Sequence, residues 1–101
     1  MAINTLQSAA EEANVDAIRQ DILQAQAHAR GYVIKPIHIG GGGGSYEGIS
    51  LLNLSLPHEN ENAVYSLGTV TDDSFQIIAV SSRGFTVTAT ISGDEIAWER
   101  E

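Results

Sequence analysis

VDAIRQDILQAQAHARGY, residues 15–32, places apolar side chains at Val15, Ile18, Ile22, Ala25, Ala29 and Tyr32. Steps of three and four residues draw one stripe along an α-helix, which a single packing partner can cover. Between Asn4 and Arg30 there is no glycine or proline, and alanine, glutamine and glutamate dominate, all good helix formers. The pattern predicts a long helix over residues 1–33. Its first half carries a second apolar set, Ile3, Leu6, Ala10, Ala13 and Ala17, in a different phase. One rod thus has two apolar faces offset around its axis, and the two need not share a partner. Asn4 or Thr5 can cap the start, with Asn14 followed by Asp16 as the alternative cap if the first turns fray; Gly31 is expected to cap the end, and Pro36 limits continuation beyond it.

Downstream, five consecutive glycines at 40–44 lie in a segment, 34–48, that reads as a loop. The period then changes. Ile49, Leu51, Leu52, Leu54 and Leu56 form a partly alternating apolar run ended by Pro57, which predicts a strand over 49–56. Four more strands are predicted over 63–70, 75–81, 85–91 and 95–99. They are separated by Thr71-Asp72-Asp73-Ser74, Ser82-Arg83-Gly84 and Ser92-Gly93-Asp94, each with the chemistry of tight turns. Within 85–91, Phe85, Val87, Ala89 and Ile91 share one face while Thr86, Thr88 and Thr90 share the other, so one face is buried and one is wet. A helix stripe laid on one face of a four-stranded antiparallel meander is a two-layer α+β design. It occupies one domain, 1–101, with helix 1–33, glycine-rich loop 34–48 and β-region 49–101.

The chain has 101 residues and a formal net charge of -8, from 13 acidic against 5 basic residues. A surface so charged repels phosphate backbones and anionic membranes, so nucleic acid is not an expected partner. There is no cysteine, which excludes disulfides, zinc-thiolate sites and a thiol nucleophile. No apolar run approaches the roughly 18 to 20 residues that cross a bilayer.

Several features resemble sites without their full chemistry. A phosphate loop closes its glycines with Lys-Ser or Lys-Thr and leads into a helix, whereas Gly44 is followed by Ser45-Tyr46-Glu47 and an expected strand. His28, His38 and His58 fall at neither the helical i, i+4 nor the strand i, i+2 step that brings metal ligands together. Asp72-Asp73 and Asp94-Glu95 lack a calcium-loop pattern and suffice as turn residues. Ser45, Ser81 and Ser82 sit in no nucleophile elbow, and Glu11-Glu12 lie on a solvated helix face. The reading assigns no catalytic, cofactor or metal residue and expects no enzyme.

A long N-terminal helix, a glycine-containing connection and a C-terminal antiparallel meander resemble the globular part of type IV pilins and pseudopilins. The likeness is carried by Ala13-Asn14-Val15-Asp16-Ala17-Ile18, Lys35-Pro36, the glycine run with Ser45, and an aromatic before Gly48. Lys-Pro plus polyglycine is its distinctive motif. Such proteins begin with an apolar helical half that anchors the precursor in the inner membrane and later forms the filament core, and that half is missing here. The resemblance implies the soluble headpiece of a cell-surface filament subunit, with sister or related subunits as partners and no membrane contact by this segment. It makes Ile3, Leu6, Ala10, Ala13 and Ala17 the remnant of a subunit-packing face, joined by Gly42 in the side-chain-free loop and by Trp98. The alternatives are a pseudopilin or minor pilin of a secretion system, or a small extracellular module binding glycan or peptide through the glycine loop and threonine face.

Overall fold

The computed structural model describes residues 2–101, with side chains from residue 10 onward. Helix α1 spans Ala2–Ile34 and is followed by a 3-10 turn, Ile37–Ile39. The strands are β1 (Ala63–Val70), β2 (Phe75–Ser81), β3 (Thr86–Ser92) and β4 (Glu95–Arg100). They pair in chain order as an antiparallel meander. The predicted architecture is therefore present, a long helix on a four-stranded sheet.

The registers explain how the inner face is built. Tyr65, Ala79 and Val87 stand in one row across β1, β2 and β3, and Leu67, Ile77, Ala89 and Trp98 in the next across all four strands. Val70, Phe75, Ile91 and Ile96 form a third. Because side chains alternate with period two, this fixes Thr86, Thr88 and Thr90 on the opposite face, where they are only partly covered. Helix α1 comes nearest the sheet over β2. There Ile18, Ile22, Ala25 and Ala29 of the stripe join Ile77, Ala79 and Ala89 in one core, all essentially without solvent exposure. Val15 is buried as well, and Tyr32 packs against the same core from the rim.

Two local expectations need correction. Residues 49–56 are a series of turns and not a strand. Two adjacent leucines break the alternation, and Asn53 competes for the backbone: its Oδ1 accepts hydrogen bonds from Ser50 N and Ser50 Oγ, each at 2.9 Å. The Leu54 and Leu56 amides donate to Leu51 O, closing the turns at 3.1 Å each. This geometry buries Ile49, Leu54 and Leu56 beside Tyr46, so the apolar run plugs one end of the core without adding an edge to the sheet. Tyr46 lies 4.9 Å from Phe75, ring centre to ring centre.

Gly31, expected as the helix cap, is instead helical, and α1 runs on to Ile34 before Pro36 stops it. A Cβ at Gly31 would meet nothing within 4 Å. Gly31→Ala should therefore raise stability by about 1 kcal/mol, the ordinary propensity difference, read as a higher urea midpoint with an unchanged slope.

Candidate functional site

The glycine run serves the end of α1. The Gly42 and Gly44 amides donate to the orphan carbonyls of Tyr32 (2.8 Å) and Val33 (2.7 Å). Gly43 N donates to Lys35 O and Gly41 N to Pro36 O, each at 3.0 Å, while Gly40 N reaches Ile37 O at 3.0 Å. Helices leave their last carbonyls without intrahelical donors, and this loop folds back to supply them. A consequence follows for anion binding: every glycine N–H of the run already faces a carbonyl, so none is left to cradle a phosphate. Gly42 is buried, with the Tyr32 ring and Ser45 O where its Cβ would stand. Gly42, expected in a subunit-packing surface, is thus covered by its own chain. Ser45 Oγ donates to Asp72 Oδ1 (3.1 Å) and Tyr46 N to Asp72 O (3.1 Å), tying the loop to the β1–β2 turn.

A polar cluster lies between the helix and the segment entering β1. Asp21 Oδ2 accepts hydrogen bonds from Tyr65 Oη (2.5 Å), Asn60 Nδ2 (3.1 Å) and Asn62 Nδ2 (3.3 Å). Asn60 Oδ1 accepts from the amides of Asn62 (2.8 Å) and Ala63 (3.1 Å), shaping the turn. Nearer the N-terminus, Asn14 Nδ2 donates to Asn62 O (3.1 Å), and Ser81 Oγ donates to Asn14 Oδ1. Burial, then the hydrogen bond to Asp21 and its negative charge, push the Tyr65 phenol well above the usual tyrosine range; Asn60 opposes weakly. Tyr65 therefore stays a proton donor, and the cluster clamps helix to sheet. No nucleophile and base meet in it. Sequence reasoning passed over this cluster, although Asp21 carried a signal: it sits three residues from Ile18 and four from Ala25, on the flank of an otherwise apolar stripe.

The packing-face candidates are placed unevenly. Ile3 and Leu6 fall outside the residues whose side chains are described. Ala13 is exposed, whereas Ala10 and Ala17 are half-covered. Among the described residues, the first buried helix side chain is Val15, and Glu11, one turn earlier, pairs with Arg100 at 3.2 Å. Trp98 is half-buried against the core, with the Arg19 guanidinium 5.5 Å from its ring centre. It borders a shallow groove with Val15, Val87 and Arg100.

Comparison with protein families, with curated proteins and with solved structures finds no match to this chain. Its surfaces must therefore be read on their own chemistry. His28 is exposed on the helix, its Nδ1 2.9 Å from Gln24 O. Among the described residues, no group of three or more histidine, aspartate or glutamate side chains is placed to hold a metal.

Proposed function

We propose that this chain is the globular head and helical stem of a subunit of a bacterial type IV pilus-like surface filament, whose partners are further copies of itself or related subunits. The observation that carries this reading is the unequal use of α1. From Val15 to Tyr32 one stripe is covered by the chain's own sheet and the turns that follow α1, while Ala13 is exposed and Ala10 and Ala17 on its face are half-covered. A helix of 33 residues is about 50 Å long at ~1.5 Å per residue, about twice the ~20 to 27 Å of strands of six to eight residues. The molecule measures 57 × 21 × 18 Å. A rod longer than its sheet suits lateral packing of stem on stem, with heads turned outward. Alanine suits such packing, because small side chains let helices approach closely.

The reading predicts a separation of assembly from folding. Ala13→Arg, introduced into the complete natural gene product, should abolish filaments seen by electron microscopy and leave the melting temperature of the 101-residue protein within about 1 °C, as an exposed substitution does. Filaments as abundant as those of the parent would contradict the assignment of that face, and a natural gene product that forms no filaments would contradict the function.

A further inference from the structure

The two rims of the sheet are built differently. Along β1, Tyr65 N donates to His58 O (2.7 Å) and Asn60 N to Ala63 O (3.0 Å), so residues 58–60 already occupy the start of that rim, and the register breaks between Leu67 and Val70. Both features stop a further strand from adding there. The other rim, β4, has neither: its register with β3 runs unbroken from Ser92–Glu95 to Val87–Arg100, and it holds no proline. Thr86 and Glu101 exchange both backbone bonds, Glu101 N to Thr86 O at 2.8 Å and Thr86 N to Glu101 O at 3.1 Å. Bonded pairs alternate along an antiparallel ladder, so Glu99, Ala97 and Glu95 also turn their backbone groups to β3. Ile96, Trp98 and Arg100 turn theirs outward, where no partner meets them among the described residues. Helix α1 comes nearest the sheet over β2, two strands or about 10 Å from β4, and leaves this row open.

Donors and acceptors at alternate residues in one line match the backbone of an extended chain. The side chains set what charge that chain must carry. On the outer face Glu95, Glu99 and Glu101 are exposed, have no ion pair among the described residues, and stand opposite the uncharged Ser92, Thr88 and Thr86 of β3. On the helix side both signs are present and balance: Arg100 pairs with Glu11 and lies 4.1 Å from the Phe85 ring centre, and Arg19 sits over Trp98 beside Glu12 and Asp16. There Val15, Val87 and Trp98 border the shallow groove. We propose that the free edge of β4 binds an extended segment of a partner protein as a fifth, antiparallel strand, with basic side chains beside Glu95, Glu99 and Glu101 and apolar ones on the helix side. The net charge of -8 draws such a segment in from a distance. A second copy of this chain does not fit. Every antiparallel β4-to-β4 register that engages two or more of Ile96, Trp98 and Arg100 sets glutamate against glutamate, and β1 of another copy has its row covered. This interaction is separate from the filament reading and needs no assembly.

The peptide Lys-Val-Lys-Val-Lys-Val-Lys, with both ends blocked, tests this on the 101-residue protein by calorimetry and amide hydrogen exchange. In the expected pairing its valines turn their backbone groups to β4 and its lysines turn theirs away. Binding should slow exchange at the Ile96 and Trp98 amides by at least about tenfold and change little at Ala97 and Glu99, which are already bonded to β3. Methylating the valine nitrogens should raise the Kd by at least about tenfold, and methylating the lysine nitrogens by less than about threefold, although both peptides carry the same charge. Glu99→Lys should raise the Kd by on the order of fivefold and melt with the parent, as the side chain is exposed. Equal Kd values for the two methylated peptides would mean charge attraction without strand addition and overturn the proposal. So would absence of binding at about 1 mM peptide, the range of the weakest specific contacts. Protection of Ile96 and Trp98 that grows with protein concentration in the absence of peptide would assign the rim to a second copy and overturn the partner named here.

Discussion

Gly42→Ala is expected to lower the stability of the protein by about 2–4 kcal/mol, an effect at the high end for adding one methyl group. The added Cβ would stand 1.9 Å from Ser45 O and 2.7 Å from the Tyr32 ring. A backbone oxygen cannot rotate away as a long side chain can. The loop must shift, and the shift breaks the Gly42 N to Tyr32 O bond that caps the helix. Tyr32 also loses its seat, from which its hydroxyl donates to Glu47 O at 2.7 Å. Gly41→Ala should behave alike, with its Cβ 2.1 Å from Lys35 O. Gly31→Ala is the internal control, since it adds the same group in open space. Urea unfolding followed by circular dichroism should place the first two well below the parent and the third above it. Equal midpoints for Gly31→Ala and Gly42→Ala would mean that the glycine run does not cap α1 as described.

Tyr65→Phe is the second large effect and has a pH signature. At neutral pH it should cost about 1.5–3 kcal/mol, the usual worth of a hydrogen bond to a charged group, because Asp21 loses its shortest donor. Above pH 10 the comparison changes. The folded phenol is held protonated above the unfolded value of 10.0, so its contribution is complete below pH 10 and is lost as pH rises further. The loss approaches about 1.4 kcal/mol per pH unit while the unfolded chain ionises and the folded one does not. Tyr32 and Tyr46 remain in both proteins and cancel. The gap between parent and Tyr65→Phe should therefore narrow between pH 9 and pH 11, measured by urea midpoints. Parallel pH profiles would contradict the placement of Tyr65 against Asp21.

The helix stripe and the four strands were legible because each is a local pattern read at one period. The stripe from Val15 to Ala29 needs only its own spacing, and Phe85, Val87, Ala89 and Ile91 alternate without interruption. Residues 49–56 misled for a definable reason. Five aliphatic residues in eight satisfy a strand template loosely, and the decisive terms were the Asn53 side chain and the need to fill the end of the core, neither visible in periodicity. Gly31 misled because a single glycine offers a cap, while five glycines nine residues later offered a better one. The function of that run was hidden in distance: Gly42 and Gly44 serve carbonyls ten and eleven residues back in the chain. Asp21 was readable as an anomaly in an apolar stripe, but its partners at Asn60, Asn62 and Tyr65 lie 39 to 44 residues away and required the fold.

The same contrast separates the surfaces. Ala10, Ala13 and Ala17 are marked in the sequence by their phase, whereas Leu52 is marked only by its exposure: it reads like a core residue until its neighbours Leu54 and Leu56 take the interior. Salt bridges contribute little to this division. Arg30–Asp94 and Glu11–Arg100 join exposed side chains and are each worth well under about 1 kcal/mol. Apolar cover decides the stability of the fold, and Ala13 is left outside that cover.

Electron cryo-microscopy of material assembled from the complete natural gene product bears most directly on that division of labour. The account predicts a helical filament in which Ala13 is enclosed between subunits while Ile18, Ile22 and Ala29 of each copy rest on that copy's own sheet. A filament with Ala13 facing solvent, or one in which the sheet has left its own helix, would contradict it.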